Sequence, residues 1–473
     1  MTEGTRRDFL KLSGAAASAW AATGKLRAAS DNSGRAGPVS VWTTDDVHQL
    51  EQTTPMKWQP ASGPAPEDAV VLDPEKKFQE ILGFGAAFTD AACYTFNRLD
   101  SSSREKLFHQ LFHSSEMGFN VCRTCIGASD YSTRVYSYDE GAPDPDLERF
   151  SIDHDREYIL PILREARQVN PDLFLFSSPW SPPGWMKSNG SMLGGNMQRR
   201  SMPAYANYLV KFLEGYEAEH VPIQAVTVQN EVDTDQDGRM PACTWPEEYE
   251  ADFVRGNLGP IFQKNGIKSK IWIIDHNYNL WGRAIAELET PGVRQFTHGI
   301  AWHGYVGKVA WVDRVRDAFP DVEMYWTEGG PDYKDPHYGN DWANWSATFS
   351  GILRHWCRSI TAWNFALDEV GRPNIGPFSC GGLLTINSQS KAISYSGQFY
   401  AFAHYSRFIR RGAHRFDSQS AASGLSHLAV ENPDGKRTLV LTNSGEPRQC
   451  TIRLGDQQTS FRLTGNSVST LVW

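Results

Sequence analysis

Residues 225–231 read Ala225-Val226-Thr227-Val228-Gln229-Asn230-Glu231, a short apolar run that ends in polar side chains and a carboxylate. A continuous apolar run of this length is typical of a parallel strand that is covered on both faces. Residues 324–328 repeat the arrangement as Met-Tyr-Trp-Thr-Glu. Each segment therefore predicts a buried strand with a glutamate at its carboxyl end, Glu231 in the first and Glu328 in the second.

Apolar runs of this kind alternate with amphipathic stretches between residues 78 and 367. The eight strand candidates are Gln79–Gly85, Asn120–Thr124, Leu173–Ser177, Ala225–Gln229, Lys270–Asp275, Gly299–His303, Val322–Thr327 and Ile360–Ala366. Helices are expected between them, including one that Ser102 and Glu105 cap and one over Asp153–Val169. Eight strand–helix alternations predict an α/β fold, the (β/α)8 TIM barrel.

The two ends of the chain have a different pattern, with short strands in which apolar and polar residues alternate. The strands expected near the C-terminus are Ser426–Glu431, Arg437–Thr442, Gln449–Leu454, Gln458–Leu463 and Ser467–Trp473. Val39–Trp42 and Ala69–Leu72 are also strand-like, so we expect an attached β-sandwich domain built from both chain ends. The predicted domains are a catalytic barrel over 78–395 and a sandwich formed by 36–77 and 396–473.

The first residues have the features of an export signal. Arg6-Arg7 is followed by Phe9-Leu10-Lys11 and by a weakly apolar stretch over Leu12–Ala22. This order predicts a twin-arginine signal over residues 1–29, and a periplasmic or extracellular protein. The apolar stretch is too short, and too poor in Leu, Ile and Val, to remain as a membrane span.

Composition and missing motifs exclude several other classes of function. The 473 residues carry a net charge of −9 without a basic face, so no nucleic acid partner is expected. No phosphate loop, dinucleotide fingerprint or metal-ligand motif is present, so we expect neither cofactor nor metal. A serine hydrolase would need a Gly-x-Ser-x-Gly turn, which is absent. The seven scattered Cys, including Cys122 and Cys125 in a strand-like run, are expected to be buried free thiols.

The strand ends carry the candidate chemistry, because active sites of such barrels lie at the C-terminal ends of the strands. Glu231 and Glu328 across the mouth are the paired carboxylates that glycoside hydrolysis needs. A separation of about 5–5.5 Å gives retention and about 6.5–9.5 Å gives inversion, and the sequence leaves both open. Other strand ends supply aromatic and polar groups suited to sugars, namely Asp130, Trp180, Trp185, His303, Tyr305, Trp363 and Asn364.

Several of these segments together resemble glycoside hydrolase family 30, in its glucosylceramidase-like branch. The matching segments are Gly83–Asp90, Ser178–Pro183, Thr227–Glu231, Trp326–Glu328 and Trp363–Asp368, in the family's order. They resemble GFGGAFTD, SPWSPP, TVQNE, the nucleophile segment and WNLALD of that family. The resemblance covers nearly everything after the signal.

The resemblance implies a retaining mechanism in which Glu231 is the acid/base and Glu328 the nucleophile. It also implies that Asp130, Trp180, Asn230 and Trp363 bind a glucose-like ring, and that Arg123 and His303 orient and tune the carboxylates. Tyr305 is expected both to bind substrate and to take part in that tuning.

Three positions depart from the family pattern. Val232 follows the acid/base glutamate where Pro is usual, Gly304 lies where some relatives carry Trp, and Ile375–Gly382 differs throughout. These loops border the aglycone side, so the sequence does not define the leaving group.

The leading hypothesis is a retaining exo-acting β-glycosidase that hydrolyses β-glucosides, with a glucosylceramide-like glycolipid or a short β-glucan as substrate. The alternatives with the same chemistry are an endo-β-1,6-glucanase and a β-xylosidase or β-fucosidase. The alternative from another class is a catalytically silent barrel that only binds carbohydrate. The sequence does not indicate the oligomeric state.

Overall fold

The computed structural model describes residues 38–473. The twin-arginine signal expected over residues 1–29 lies outside these residues. Within them, the structure confirms the predicted (β/α)8 barrel and the sandwich that both chain ends build. None of the helices between residues 38 and 473 is long and apolar enough to span a bilayer.

Eight parallel strands close the barrel, and each pairs with its neighbours in chain order. The strands are Gly83–Phe88, Val121–Ile126, Phe174–Pro179, Ala225–Thr227, Lys270–Asn277, Thr297–His303, Met324–Glu328 and Cys357–Asn364. Almost every residue in them is buried, because side chains face either the barrel interior or the surrounding helices.

Helices follow each strand and cover the outside of the barrel. They are Asp90–Asn97, Ser101–Phe112, Asp153–Glu157, Ile159–Val169, Met202–Ala218, Glu247–Phe253, Gly259–Asn265, Trp281–Glu289, Asp313–Ala318, Trp342–Arg354 and Gly397–Ser406. Short strands Ala366–Leu367, Leu384–Ile386 and Ile393–Tyr395 form a separate small sheet after the eighth barrel strand.

Three local predictions were wrong. The first barrel strand begins at Gly83 rather than Gln79, because Gln79 continues the sandwich strand Val70–Glu80 and donates to the carbonyl of Cys357 at 3.1 Å. The expected cap at Ser102 is supplied instead by Asp100, whose carboxylate accepts from the Ser103 amide at 3.0 Å. The helix expected over Asp153–Val169 is broken at Tyr158, whose hydroxyl donates to Asp90.

Ten strands form the second sheet, and their order alternates between the two ends of the chain. In sheet order they are Glu51–Met56, Val39–Thr44, Ser467–Val472, Arg437–Asn443, Leu425–Glu431, His414–Gln419, Val70–Glu80, Arg448–Leu454, Gln457–Leu463 and Gln59–Pro60. Apolar residues from strands far apart in this order share one core, so the sheet folds back on itself as a sandwich.

One buried histidine joins the barrel to both chain ends. His404, on the last barrel helix, contacts the hydroxyl of Thr470 through Nδ1 and that of Thr44 through Nε2, each at 2.8 Å. The Thr470 hydroxyl also lies 3.1 Å from the His404 carbonyl, to which it donates, so Nδ1 carries the proton and Nε2 accepts. Burial lowers the pKa of His404 to about 3, which keeps this ring neutral.

We predict that His404 makes the protein less stable in acid. Its folded-state pKa lies below the unfolded value near 6.5, so between these values only the unfolded chain binds the proton, and stability falls as pH decreases. From pH 7 to pH 4.5 the wild type should lose about 2–3 kcal/mol more unfolding free energy than His404→Gln. Denaturant unfolding at both pH values measures this difference, and equal losses in the two proteins would contradict it.

Candidate active site

Glu231 and Glu328 lie at the C-terminal mouth of the barrel, at the ends of the fourth and seventh strands. Their side chains are only 14% and 7% exposed. The fourth strand ends at Thr227, and beyond it the Glu231 amide donates to the carbonyl of Asp275 at 3.0 Å. Glu231 has a positive φ of 56°, a left-handed conformation that this surrounding structure must hold in place.

His303 lies between the two glutamates and limits their separation. Its Nδ1 is 3.4 Å from Oε1 of Glu231 and 3.8 Å from Oε1 of Glu328, so these oxygens are at most about 7 Å apart. The separation of about 5–5.5 Å that is typical of retaining glycosidases lies within this limit.

Arg123 connects the ends of four strands from a fully buried position. Its guanidinium contacts Glu328 and donates from Nη2 to Asn230 and Asp275, both at 2.7 Å. It also donates from Nε to the Ser178 hydroxyl at 3.1 Å. Burial works against the charge of Arg123, but the carboxylates of Asp275 and Glu328 raise its pKa above the ordinary value.

Asp275 is the residue on which most of these hydrogen bonds converge. It accepts from the hydroxyls of Ser178 and Thr227 through one oxygen, and from Thr327 through the other, at 2.7 to 2.8 Å. His303 Nε2 lies 3.1 Å away. Burial alone would raise the pKa of Asp275, but the charge of Arg123 and the hydrogen bond from His303 hold it well below its usual range.

The charge state of Glu231 depends on the histidines beside it. Burial raises its pKa, but the positive charge of protonated His303, whose Nδ1 lies 3.4 Å away, and the hydrogen bond from Gln236 outweigh burial and lower the pKa below its ordinary value. Burial alone would lower the pKa of His303. The charge of Glu328 and the hydrogen bond to Asp275 outweigh burial and raise this pKa to about 9. In the empty site the proton therefore resides on His303 rather than on Glu231.

A cavity of about 440 Å³ opens above the two glutamates. Nine residues were expected to catalyse the reaction, bind the sugar or tune the carboxylates, and the structure places seven of them in the cavity wall, namely Asp130, Trp180, Asn230, Glu231, Tyr305, Glu328 and Trp363. The other two, Arg123 and His303, are completely buried behind them. Trp185 is not in this wall, and its indole nitrogen donates to the carbonyl of Asp139 at 3.0 Å.

The aromatic and acidic groups of the cavity are held rigidly. Trp180 stacks on Trp363 with ring centroids 4.9 Å apart, and the guanidinium of Arg123 lies 4.6 Å from the Trp180 ring. Burial and the charges of Glu328 and Glu231 raise the pKa of Asp130 well above its ordinary value. The Ile375 amide donates to the Asp130 carbonyl at 2.8 Å, so the divergent loop over Ile375–Gly382 covers this residue.

Several residues of the site were missed from the sequence. Asp275, His276 and Asn277 end the fifth barrel strand, and the rule applied to the other strand ends would have identified them. Gln236 donates from Nε2 to Oε2 of Glu231 at 2.7 Å, and Thr234 lies beside it in the wall. No sequence signal marks Gln236, because its position depends on the conformation of an irregular loop.

One group of side chains within residues 38–473 has the spacing of a metal site. Glu231, His276 and His303 each offer a ligand atom, and these atoms lie within 4.8 Å of one another. Metal binding needs an unprotonated imidazole, whereas His303 retains its proton at neutral pH. The charges of this group therefore favour proton exchange over metal binding.

Residues 81–409 match the glycosyl hydrolase family 30 TIM-barrel domain, and residues 412–471 match the β-sandwich domain of the same family. The chain belongs to glycoside hydrolase family 30. An endo-1,6-β-D-glucanase of Neurospora crassa is 32% identical over 390 residues, which cover 78% of this chain and 80% of the relative.

Two further proteins resemble this family 30 enzyme over most of their length. Putative glucosylceramidase 3 of Caenorhabditis elegans is 30% identical over 428 residues, covering 85% of this chain and 82% of the relative. The solved structure of an endo-β1,6-glucanase gives a TM-score of 0.83 at 27% identity, covering 92% of this chain and 100% of the other.

The departure at Gly304 has a steric cause in this structure. A Cβ atom on Gly304 would lie 2.8 Å from the Trp326 ring, so a tryptophan there, as in some relatives, would require that ring to move. At the other departure, Val232 is buried, and its carbonyl accepts from the Trp245 amide at 2.7 Å.

We predict that Arg123→Lys lowers kcat/KM for an aryl β-glucoside by at least about 100-fold, because one ammonium cannot bridge Glu328, Asn230 and Asp275 together. The matched control is Arg358→Lys at the opposite end of the barrel, where Arg358 binds Glu80 at 2.8 Å. The control should stay within about threefold of the wild type. Similar losses in both variants would contradict a specific role for Arg123.

Proposed function

We propose that this family 30 enzyme is a retaining β-glucanase that cleaves β-1,6-linked glucose by double displacement, with Glu328 as nucleophile and Glu231 as acid/base. The observation that carries the proposal is the pair of glutamates at most about 7 Å apart in a cavity with stacked tryptophans. We further propose that Asp130, Asn230, Trp180 and Trp363 bind the glucose ring whose bond is broken.

The first step forms a covalent glycosyl-enzyme. The Glu328 carboxylate, oriented by Arg123 and by the Tyr305 hydroxyl at 3.0 Å, attacks the anomeric carbon. Glu231 gives its proton to the glycosidic oxygen, and the bond between that oxygen and the anomeric carbon breaks. In the second step, the Glu231 carboxylate takes a proton from water, whose oxygen displaces Glu328 and restores the original configuration.

His303 can supply Glu231 with the proton that the first step requires. The ion pair between protonated His303 and ionised Glu231 holds the same number of protons as the pair in which both are neutral. A bound sugar displaces water, and a drier site disfavours separated charges. Sugar binding therefore favours transfer of the proton to Glu231.

The groups around Glu231 favour a sugar as leaving group. Gln236 donates to the same carboxylate, and Thr234 and Asn277 line the adjoining wall. Amide and hydroxyl groups of this kind recognise sugar hydroxyls rather than acyl chains. Two proteins similar to this chain are named as endo-1,6-glucanases, which supports cleavage within a glucan over the exo action expected from the sequence.

A glucosylceramide-like glycolipid is the second candidate substrate. Val306 and Phe378 line the cavity and are 53% and 43% exposed, so they offer an apolar surface near its opening. A relative named as a putative glucosylceramidase agrees with this candidate.

We also propose that the enzyme acts outside the cytoplasm, in the periplasm or beyond it. The paired Arg6-Arg7 and the apolar stretch after it support export. A polymeric glucan would meet the enzyme in that location.

The two glutamates should be distinguishable by azide rescue. Glu231→Ala should lose at least about 100-fold in kcat/KM on a substrate with a poor leaving group, and azide should restore turnover of an activated aryl glucoside as the β-glucosyl azide. Glu328→Ala with azide should instead form the α-azide, because azide then replaces the nucleophile. The anomeric configuration, measured by NMR, decides between the roles, and the opposite configurations would reverse our assignment.

The substrate is tested by initial rates on a β-1,6-glucan, a β-1,3-glucan and glucosylceramide in detergent. We expect kcat/KM to be at least about tenfold higher on the β-1,6-glucan, with short oligosaccharides among the first products. If glucose is the only early product, the enzyme is exo-acting, as expected from the sequence. A preference for glucosylceramide would support the second candidate instead.

A further inference from the structure

Asp233 and His276 form a hydrogen-bonded pair directly beside Glu231. His276 Nε2 lies 2.7 Å from Oδ1 of Asp233, and His276 Nδ1 lies 3.5 Å from Oε1 of Glu231. The His276 side chain is 9% exposed and that of Asp233 is 39% exposed. The mechanism above does not use either residue.

Asn277 determines which nitrogen of His276 carries the proton. The Asn277 Oδ1 accepts from the backbone amides of Tyr305 and Val306 at 2.9 and 3.0 Å, which fixes the orientation of its amide group. Its Nδ2 therefore donates to Nδ1 of His276, 3.2 Å away. The His276 proton then lies on Nε2 and is donated to Asp233, which leaves the ring neutral.

In this arrangement the pair carries one negative charge, located on Asp233. The hydrogen bond from His276 lowers the pKa of Asp233, so this carboxylate is ionised at neutral pH. A negative charge next to Glu231 favours the protonated form of Glu231, whereas a protonated His276 would favour the ionised form. Arg283 also acts on Asp233, and the other charged groups facing Glu231 are His303, Glu328 and Asp130.

The local sequence explains how Asp233 reaches this position. The buried Val232, whose carbonyl accepts from the Trp245 amide, anchors the chain between Glu231 and Asp233. At Val232 the family resemblance has a proline, so the segment that carries Asp233 differs from that pattern.

We propose that Asp233 and His276 are positioning residues that, once a sugar is bound, keep the acid proton on Glu231 until the glycosidic bond breaks. Asp233 acts through His276, since its partly exposed charge would be screened by solvent without the buried ring. This inference rests on the proposed role of Glu231 as the acid.

Leaving-group dependence tests the inference. Departure of 2,4-dinitrophenol needs no proton, whereas departure of 4-methoxyphenol does. Asp233→Asn should lower kcat/KM at pH 7 about tenfold for the methoxyphenyl β-glucoside and leave the dinitrophenyl β-glucoside within about twofold. The alkaline limb of its pH profile should move about one unit to lower pH, because the proton that His303 and Glu231 share is lost more easily without the negative charge of Asp233.

The matched control is Asp237→Asn, which removes the same charge from the same loop at a side chain that is 84% exposed and paired with Arg239. This control should change neither leaving-group dependence nor pH profile. His276→Asn should reproduce the effect of Asp233→Asn, and the double variant should be no worse than either single variant. Equal losses on both glucosides, or effects that multiply in the double variant, would overturn the inference.

Glu231→Ala separates this inference from the proposed function. If Glu231→Ala loses activity on the methoxyphenyl glucoside but keeps activity on the dinitrophenyl glucoside, Glu231 is the acid. An Asp233→Asn variant that then loses equal activity on both glucosides contradicts only the positioning role. If Glu231→Ala loses activity on both glucosides equally and azide restores activity on neither, both the assignment of Glu231 as the acid and the positioning role are wrong.

Discussion

A guanidinium without access to water determines the arrangement of the barrel mouth. The charge of Arg123 could not remain buried unless carboxylates and hydrogen-bond acceptors surrounded it, because an unpaired buried ion costs several kcal/mol. Asp275 and Glu328 provide the charges, while Asn230 and Ser178 complete the set of acceptors. These groups come from different strands, so the contacts of one guanidinium fix the relative positions of the residues at the barrel mouth.

The same cluster combines a permanent charge pair with a mobile proton. Asp275 retains its negative charge because Arg123 is always positive, and it also orients His303 through Nε2. The opposite nitrogen of His303 faces Glu231, so a proton can move over a short distance without changing the total charge of the site. The ion pairs of Arg123 hold the site rigid, while the proton between His303 and Glu231 can move. This combination suits a reaction in which one carboxylate must alternate between acid and base.

How far the sequence predicts this protein depends on how local each signal is. Buried parallel strands are continuous apolar runs, so all eight could be located, and Glu231 and Glu328 follow from their ends. The exposed strand Glu51–Met56 contains no apolar alternation and could not be recognised. Gln236 reaches Glu231 through a loop in which it and Asp237 both have positive φ, a conformation that the composition of the loop does not specify. The start of the first barrel strand was misplaced because Val70–Glu80 leads to Gly83 with only two residues between them.

The pairing of the two chain ends has a consequence for biosynthesis. Ser40 lies opposite Val472 and Thr44 opposite Val468, so the first strand of the sandwich pairs with the last. At a synthesis rate of about 5–20 residues per second, a chain of this length takes on the order of 25–100 s to complete. The first strand lacks this neighbour until residues 467–472 are made, and the Thr44 hydroxyl lacks the ring of His404 until residue 404 is made. A product truncated before Ser467 therefore has an unpaired strand edge and cannot complete the sandwich.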